Sequence, residues 1–144
     1  MPFQRWAMRA ESLTQSPLGL LIHPQWGLFH AYRGALALRD RLPLLETPAL
    51  PSPCESCPRP CLSACPVSAF TATNYDTQAC ATHLATPATT CLTKGCAARL
   101  ACPVTPPIPY SPDQHRFHMA ALRVGLTRAL TPPVRSRSSP HPPR

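Results

Sequence analysis

Carboxylates are nearly missing from this sequence: three aspartates and three glutamates stand apart from one another along 144 residues. Acid–base catalysis therefore has few candidates. Glycine is scarce too, at five residues, and no glycine-rich stretch resembles a phosphate-binding loop. No serine triad is visible. No uninterrupted apolar run reaches the roughly 18 residues of a membrane-spanning helix. The opening MPFQRWAMRAES lacks the apolar centre of a secretory leader, and PLGLLI at 17–22 is too short to supply one. These absences lead us to expect a cytoplasmic chain without a membrane span.

Proline is what the chain has in excess. Together with glycine it makes up 26 residues, about 18% of the chain, which is under the roughly 25–30% of low-complexity polypeptides. Proline lacks a donor N–H and fixes its own φ, so short helices and few strands are expected. A small α+β fold, mostly short helices and loops, is expected, with something other than a large core holding it together. All eight cysteines lie between Cys54 and Cys102. Without a secretory leader they read as metal ligands before they read as disulfides.

Four regions follow: a helical or extended lead-in at 1–53, a cysteine domain at 54–110, a terminal helix at 111–130 and a basic tail at 131–144. In the lead-in, a short helix at Phe3–Ala10 is broken at Ser16-Pro17, and the apolar run Leu18 to Ile22 stops at Pro24. Leu28, Ala31, Tyr32, Ala35, Leu36 and Leu38 are spaced for one helix over Gln25–Leu42, with Arg33, Arg39 and Asp40 outward. The prolines of LPLLETPALPSP predict an extended connector to Cys54. Helical turns are expected at Leu62–Ala64, from an Asp76 cap through Cys80 to His83, and at Gly95–Ala101. Ser111-Pro-Asp-Gln114 is a capping box; behind it Phe117, Ala121 and Val124, with Met119, Leu122, Leu126 and Leu130, predict an amphipathic helix to about residue 130. Thr131–Arg144 has little to bury and is expected to be disordered.

The cysteines form two runs. The first is Cys54-x2-Cys57-x3-Cys61-x3-Cys65-Pro66, and the second is Cys91-x4-Cys96-x5-Cys102-Pro103, with Cys80 alone between them. The first run is one residue longer in its middle gap than the two-cluster run C-x2-C-x2-C-x3-C-P. Structural zinc is the alternative, since four-cysteine zinc sites also use short pairs. Crowding of four thiols into twelve residues, and the ending Cys-Pro-Val on both runs, favour iron–sulfur. Two oxidised clusters on eight thiolates would contribute roughly −2 each, reducing the formal +8 of the chain to about +4.

The order of three cysteines, a Cys-Pro, a lone cysteine, two cysteines and a second Cys-Pro resembles the ferredoxin-like dicluster 4Fe-4S domain of epoxyqueuosine reductase and reductive dehalogenases. HPQWGLFHAYRGALALRDRLPL is similar to the segment leading into that domain, and ACPVSAF resembles its ACPTGAI-type ending. The likeness spans roughly residues 18–110 and extends to uncharacterised bacterial ferredoxin-like proteins. It implies a fold organised by metal clusters, with one 4Fe-4S cluster on Cys54, Cys57, Cys61 and Cys102 and a second on Cys65, Cys80, Cys91 and Cys96. The gaps from Cys57 to Cys61, from Cys91 to Cys96 and from Cys96 to Cys102 are longer than that family's. The cobalamin-binding catalytic domain of such reductases does not fit into the 53 residues before Cys54. Reductase activity is therefore not carried over, and a truncated start is an open expectation.

The expected role is an electron carrier with a redox partner protein, not a catalyst. The alternatives are the electron-relay remnant or subunit of an epoxyqueuosine-reductase-like enzyme, and a structural zinc module with a basic tail. Trp26, Phe29, Tyr32 and Tyr75 are read as packing over a cluster rather than as tunnelling aromatics. His83 is read as a surface residue rather than a replacement ligand, and His115 and His118 as a solvated helical face. Arg123, Arg128, Arg135, Arg137 and Arg144 lie in the last 22 residues. Without interleaved aromatics they indicate a solvated tail, so no nucleic-acid partner is expected.

Overall fold

The computed structural model describes residues 2–43, 50–104, 106 and 109–131. The chain begins with α1 (Phe3–Ala10), which buries Ala7, and continues into a hairpin of β1 (Thr14–Gln15) and β2 (Leu21–Ile22). The strands are antiparallel, with Thr14 opposite Ile22 and Gln15 opposite Leu21. Between them Ser16-Pro17-Leu18-Gly19 makes a tight turn. The Gly19 N–H donates to the Ser16 carbonyl at 2.9 Å, and the Ser16 N–H donates to the Leu20 carbonyl at 2.8 Å. Proline in second place supplies the φ such a turn needs. The turn leaves Leu18 and Ile22 buried.

The helix expected over Gln25–Leu42 does not form. His23 Nδ1 accepts from the backbone N–H groups of Gln25 and Trp26, at 3.0 and 3.1 Å, and His23 pairs with Gly27 across the resulting turn. Gly27 has φ +59, and a Cβ there would strike the Val104 carbonyl oxygen. This close approach ties the turn to the chain just past Cys102. From here the chain runs extended, and Leu36 is 92% exposed. An apolar stripe makes a helix only where another surface receives it along its length; here Leu28 is buried in the core, whereas Leu36 and Leu38 are exposed. Tyr32 instead donates to Glu11 Oε2 at 2.7 Å, and His23 Nε2 lies 3.0 Å from the same oxygen.

Residues 44–49 of the connector lie outside the described residues, as do 132–144, the basic tail. The end of the connector is fastened to the hairpin: Thr14 Oγ1 and Ser52 Oγ are 2.8 Å apart, and the Leu50 N–H donates to Ser12 Oγ at 3.3 Å. Five further helices follow: α2 (Pro60–Ser63), α3 (Thr77–Ala85), α4 (Thr90–Lys94), α5 (Ala97–Leu100) and α6 (Pro112–Leu130). Three are capped by side chains. Asp76 accepts from the Ala79 N–H at 2.8 Å, Thr89 from Leu92 at 3.4 Å and Ser111 from Gln114 at 3.2 Å. Each satisfies an N–H that the first helical turn leaves without a partner. No described helix is long and apolar enough to cross a membrane.

Helix α6 packs on α3 and α4, and α2 packs on α5. The buried stripe of α6 is Met119, Leu122 and Leu126; Phe117, Ala121 and Val124, expected with it, turn outward, and Phe117 is 69% exposed. Gly95, at φ +105, lets the end of α4 pass beneath α6, where a Cβ would lie 2.7 Å from the His115 ring. The apolar interior is in two parts. Leu18, Ile22, Leu28, Cys61 and Ala98 form one, and Leu84, Cys91, Met119 and Leu126 form the other. Cys96 packs against both. A small α+β chain of short helices and one two-stranded sheet thus has two small cores, each with cysteines in it.

Candidate metal centres

Each core surrounds a cavity, and each cavity is lined by four cysteines. The first, of about 20 Å³, has Cys54, Cys57, Cys61 and Cys102 in its wall, with Ile22, Leu28 and Val104 among the apolar side chains around them. The second, of about 30 Å³, has Cys65, Cys80, Cys91 and Cys96, with Phe70, Leu84, Met119 and Leu122. This division coincides with the two ligand sets that the family resemblance implies. All eight thiols are free.

The chain crosses from one cavity to the other at two helices. Cys61 lies on α2 and faces the first cavity; Cys65, just past the end of α2, faces the second. Cys96 precedes α5 at the second cavity, and Cys102 follows it at the first. Because α2 and α5 pack together, the two quartets share a wall. Ala98 on α5 belongs to it, fully buried and lining the second cavity.

Burial pushes the pKa values of Cys54, Cys61 and Cys102 up, and neighbouring thiols of the same quartet add to the rise. Burial likewise raises Cys80 and Cys96. Thiols held this way stay protonated near neutral pH until a cation compensates them, and a bound metal deprotonates its thiol ligands outright. The polypeptide also provides donors suited to thiolate sulfur. The Arg59 N–H lies 3.4 Å from Cys57 Sγ and the Ala69 N–H 3.4 Å from Cys65 Sγ. The Tyr75 hydroxyl opposes the rise at Cys80, and the backbone N–H groups of Ala98 and Arg99 oppose it at Cys96.

Among the described residues no three His, Cys, Asp or Glu side chains converge closely enough to hold a single metal ion. What groups the two quartets is the cavity that each of them lines. Two buried polar atoms without a hydrogen-bond partner adjoin that space: Ser16 Oγ belongs to a residue of the first cavity wall and His83 Nε2 to one of the second. Both can donate. An occupant rich in acceptors, such as sulfide and thiolate, fits a pair of walls built this way.

The aromatic residues separate by position. Tyr75 lines the second cavity and stacks on Phe70 with ring centres 4.5 Å apart. Phe29 covers the outer side of Cys102 and meets Tyr110 edge to face at 5.3 Å. Trp26 and Tyr32 line neither cavity. His83 is not a surface residue: one helical turn after Cys80 on α3, it faces the second cavity, a placement the i, i+3 spacing predicts. His115 and His118 do not form a solvated face either, since both rings pack on Tyr110, at 5.5 and 5.2 Å.

Sequence reasoning missed Arg99. Its Nη2 donates to the Leu28 carbonyl at 2.5 Å, and its guanidinium lies 4.8 Å above the Phe29 ring, fastening α5 to the lead-in. A lone arginine between two cysteines carries no local signal for this. No family model, curated protein or solved structure matches the chain.

Proposed function

We propose that this chain binds two 4Fe-4S clusters, one in each cavity, and works as a small ferredoxin-like electron-transfer protein. The observation that carries the proposal is the pair of apolar cavities, each walled by four free thiols. Cys54, Cys57, Cys61 and Cys102 would hold one cluster, and Cys65, Cys80, Cys91 and Cys96 the other. When bound, such groups supply one-electron redox chemistry.

The chain's own residues exclude water and hold negative charge. Ile22, Leu28 and Val104 close the first site, while Leu84, Met119 and Leu122 close the second. The backbone N–H groups of Ala98 and Arg99 favour the thiolate form of Cys96 against the cost of burial, and the Arg59 and Ala69 N–H groups lie 3.4 Å from the Cys57 and Cys65 sulfurs. The wall shared by α2 and α5 keeps the two sites adjacent, so an electron entering one has a short way to the other. Four thiols crowded into the twelve residues from Cys54 to Cys65, and the Cys-Pro-Val ending on both runs, favour clusters over a structural zinc ion.

The test is anaerobic purification followed by an absorbance spectrum and iron, sulfide and zinc analysis. A brown protein with a broad band near 400 nm and about eight irons and eight sulfides per chain is the expected result. A colourless protein with about two zincs would replace this reading with a structural zinc module.

A further inference from the structure

Among the described residues, three buried side-chain polar atoms have no hydrogen-bond partner: Ser16 Oγ, His83 Nε2 and Arg99 Nε. Two of the three belong to residues that line the cysteine cavities, one in each. Leaving a buried donor without an acceptor costs about 1–3 kcal/mol, and folded chains leave few such groups. We propose that the Ser16 hydroxyl and the His83 Nε2–H are hydrogen-bond donors to sulfur at the first and second centre respectively, and that each sets the reduction potential of its own centre. This rests on the iron–sulfur reading above.

The placement of both residues is fixed by local structure. Ser16 is 6% exposed, and both of its backbone groups are engaged in the hairpin turn. Its hydroxyl therefore takes no part in holding that turn. Ser16 also borders an outer cleft, with Arg59 and Tyr75, but the hydroxyl itself is shielded from solvent. His83 follows Cys80 by three residues on α3 and precedes the fully buried Leu84. Apart from thiols, each cavity wall is mainly apolar. The acceptors that a donor can find there are the sulfur atoms of whatever fills the space.

A hydrogen bond to sulfur favours the more negatively charged state of a cluster, so it raises the reduction potential. Removing one donor should lower one potential and leave the other unmoved. The experiment is a potentiometric titration followed by electron paramagnetic resonance on the loaded full chain, comparing wild type with Ser16→Ala, Ser16→Thr, His83→Leu and His83→Gln. Ser16→Ala is expected to make one-electron reduction of one centre about tenfold less favourable, a shift of about 59 mV. His83→Leu is expected to shift the other centre, while the Thr and Gln variants, which keep a donor, stay near wild type.

Two unmoved potentials in Ser16→Ala and His83→Leu proteins that retain about eight irons would overturn the inference and leave the iron–sulfur reading standing. So would a variant that moves both potentials equally. If Ser16→Ala sheds half its iron and Ser16→Thr does not, the hydroxyl is a required partner of that centre, which upholds the assignment; loss from both overturns it. A wild-type chain that takes up no iron overturns the iron–sulfur reading and this inference together.

Discussion

The two cysteine cavities have the same number of thiols and similar volumes, yet the chain builds them by different means. The first is made of loops. Its thiols lie around α2 and after α5, and its cover is a two-stranded hairpin held by the Ser16–Gly19 turn and by the close approach of Gly27 to Val104. The second is made of helices, with α3, α4 and α6 packed over it and two of the three capped helices, α3 and α4, each supplying a thiol. Loop walls depend on long-range contacts and on what fills them, whereas helix walls carry part of their own stability. The first centre should therefore be the one that depends more on its occupant for its shape.

The largest expected effect tests whether the two regions are independent at all. On the proposed iron–sulfur reading, Cys65→Ser should cost iron at both centres, because Cys65 follows Cys61 at the end of α2 and disturbing one end of that short helix moves the other. Cys57→Ser, which lies outside any helix, should confine its loss to the first centre. Iron analysis with electron paramagnetic resonance distinguishes these outcomes, and two intact clusters in Cys65→Ser would break the proposed crossing.

Next in size is packing. Leu84 is fully buried among the residues of the second core, and Leu84→Ala should destabilise by about 2–5 kcal/mol. The equally conservative truncation Leu18→Ala, in a turn that can partly collapse, should cost less. Chemical unfolding of the loaded variants measures both, and a larger loss at Leu18 would reverse the ranking of the two walls.

What could be read from the sequence follows the same division. Helices with a chemical start signal were legible: Asp76 and Ser111 cap α3 and α6 as their residue types predict. Thr89 caps α4 by the same chemistry but sits in a threonine- and alanine-rich stretch, where nothing singles it out. Apolar spacing alone misled at Gln25–Leu42, since periodicity says which side could be buried and not whether a partner surface exists. The grouping of the thiols came from resemblance; their loose spacing leaves several pairings open, and the packing of α2 against α5 and of α3 and α4 against α6 brings distant cysteines together. His83 had a usable signal in its distance from Cys80. Ser16 had none, because the hairpin that carries it to the first cavity depends on a turn closed by backbone bonds.

Smaller effects come from the caps. Asp76→Ala and Ser111→Ala should each cost about 1 kcal/mol and loosen the second region, detectable as faster amide exchange in α3 or α6 with α1 unchanged. Equal loosening of the hairpin would mean that the two walls behave as one cooperative unit.

The smallest expected effect is acid sensitivity on the side of the lead-in. Burial lowers the pKa values of His30, His115 and His118 below the ordinary 6.5, and the Arg99 guanidinium adds to the lowering of all three. Around His30 the Glu11 carboxylate and the Gly27 carbonyl oppose the shift, while His23 reinforces it; Arg33 acts similarly on His118. With folded values below the unfolded one, the unfolded chain binds protons first as pH falls through about 6.5. The three histidines therefore contribute full stability above that pH and progressively less below it. Urea midpoints of the loaded protein should fall from pH 7.5 to pH 5.5. In Arg99→Gln the histidines lose a repelling charge, so this part of the slope should flatten even though the variant also gives up the bond to Leu28 and is less stable at every pH. A slope unchanged by Arg99→Gln would move the origin of the acid sensitivity to the thiols of the two cavities, where proton release on metal binding has the same sign.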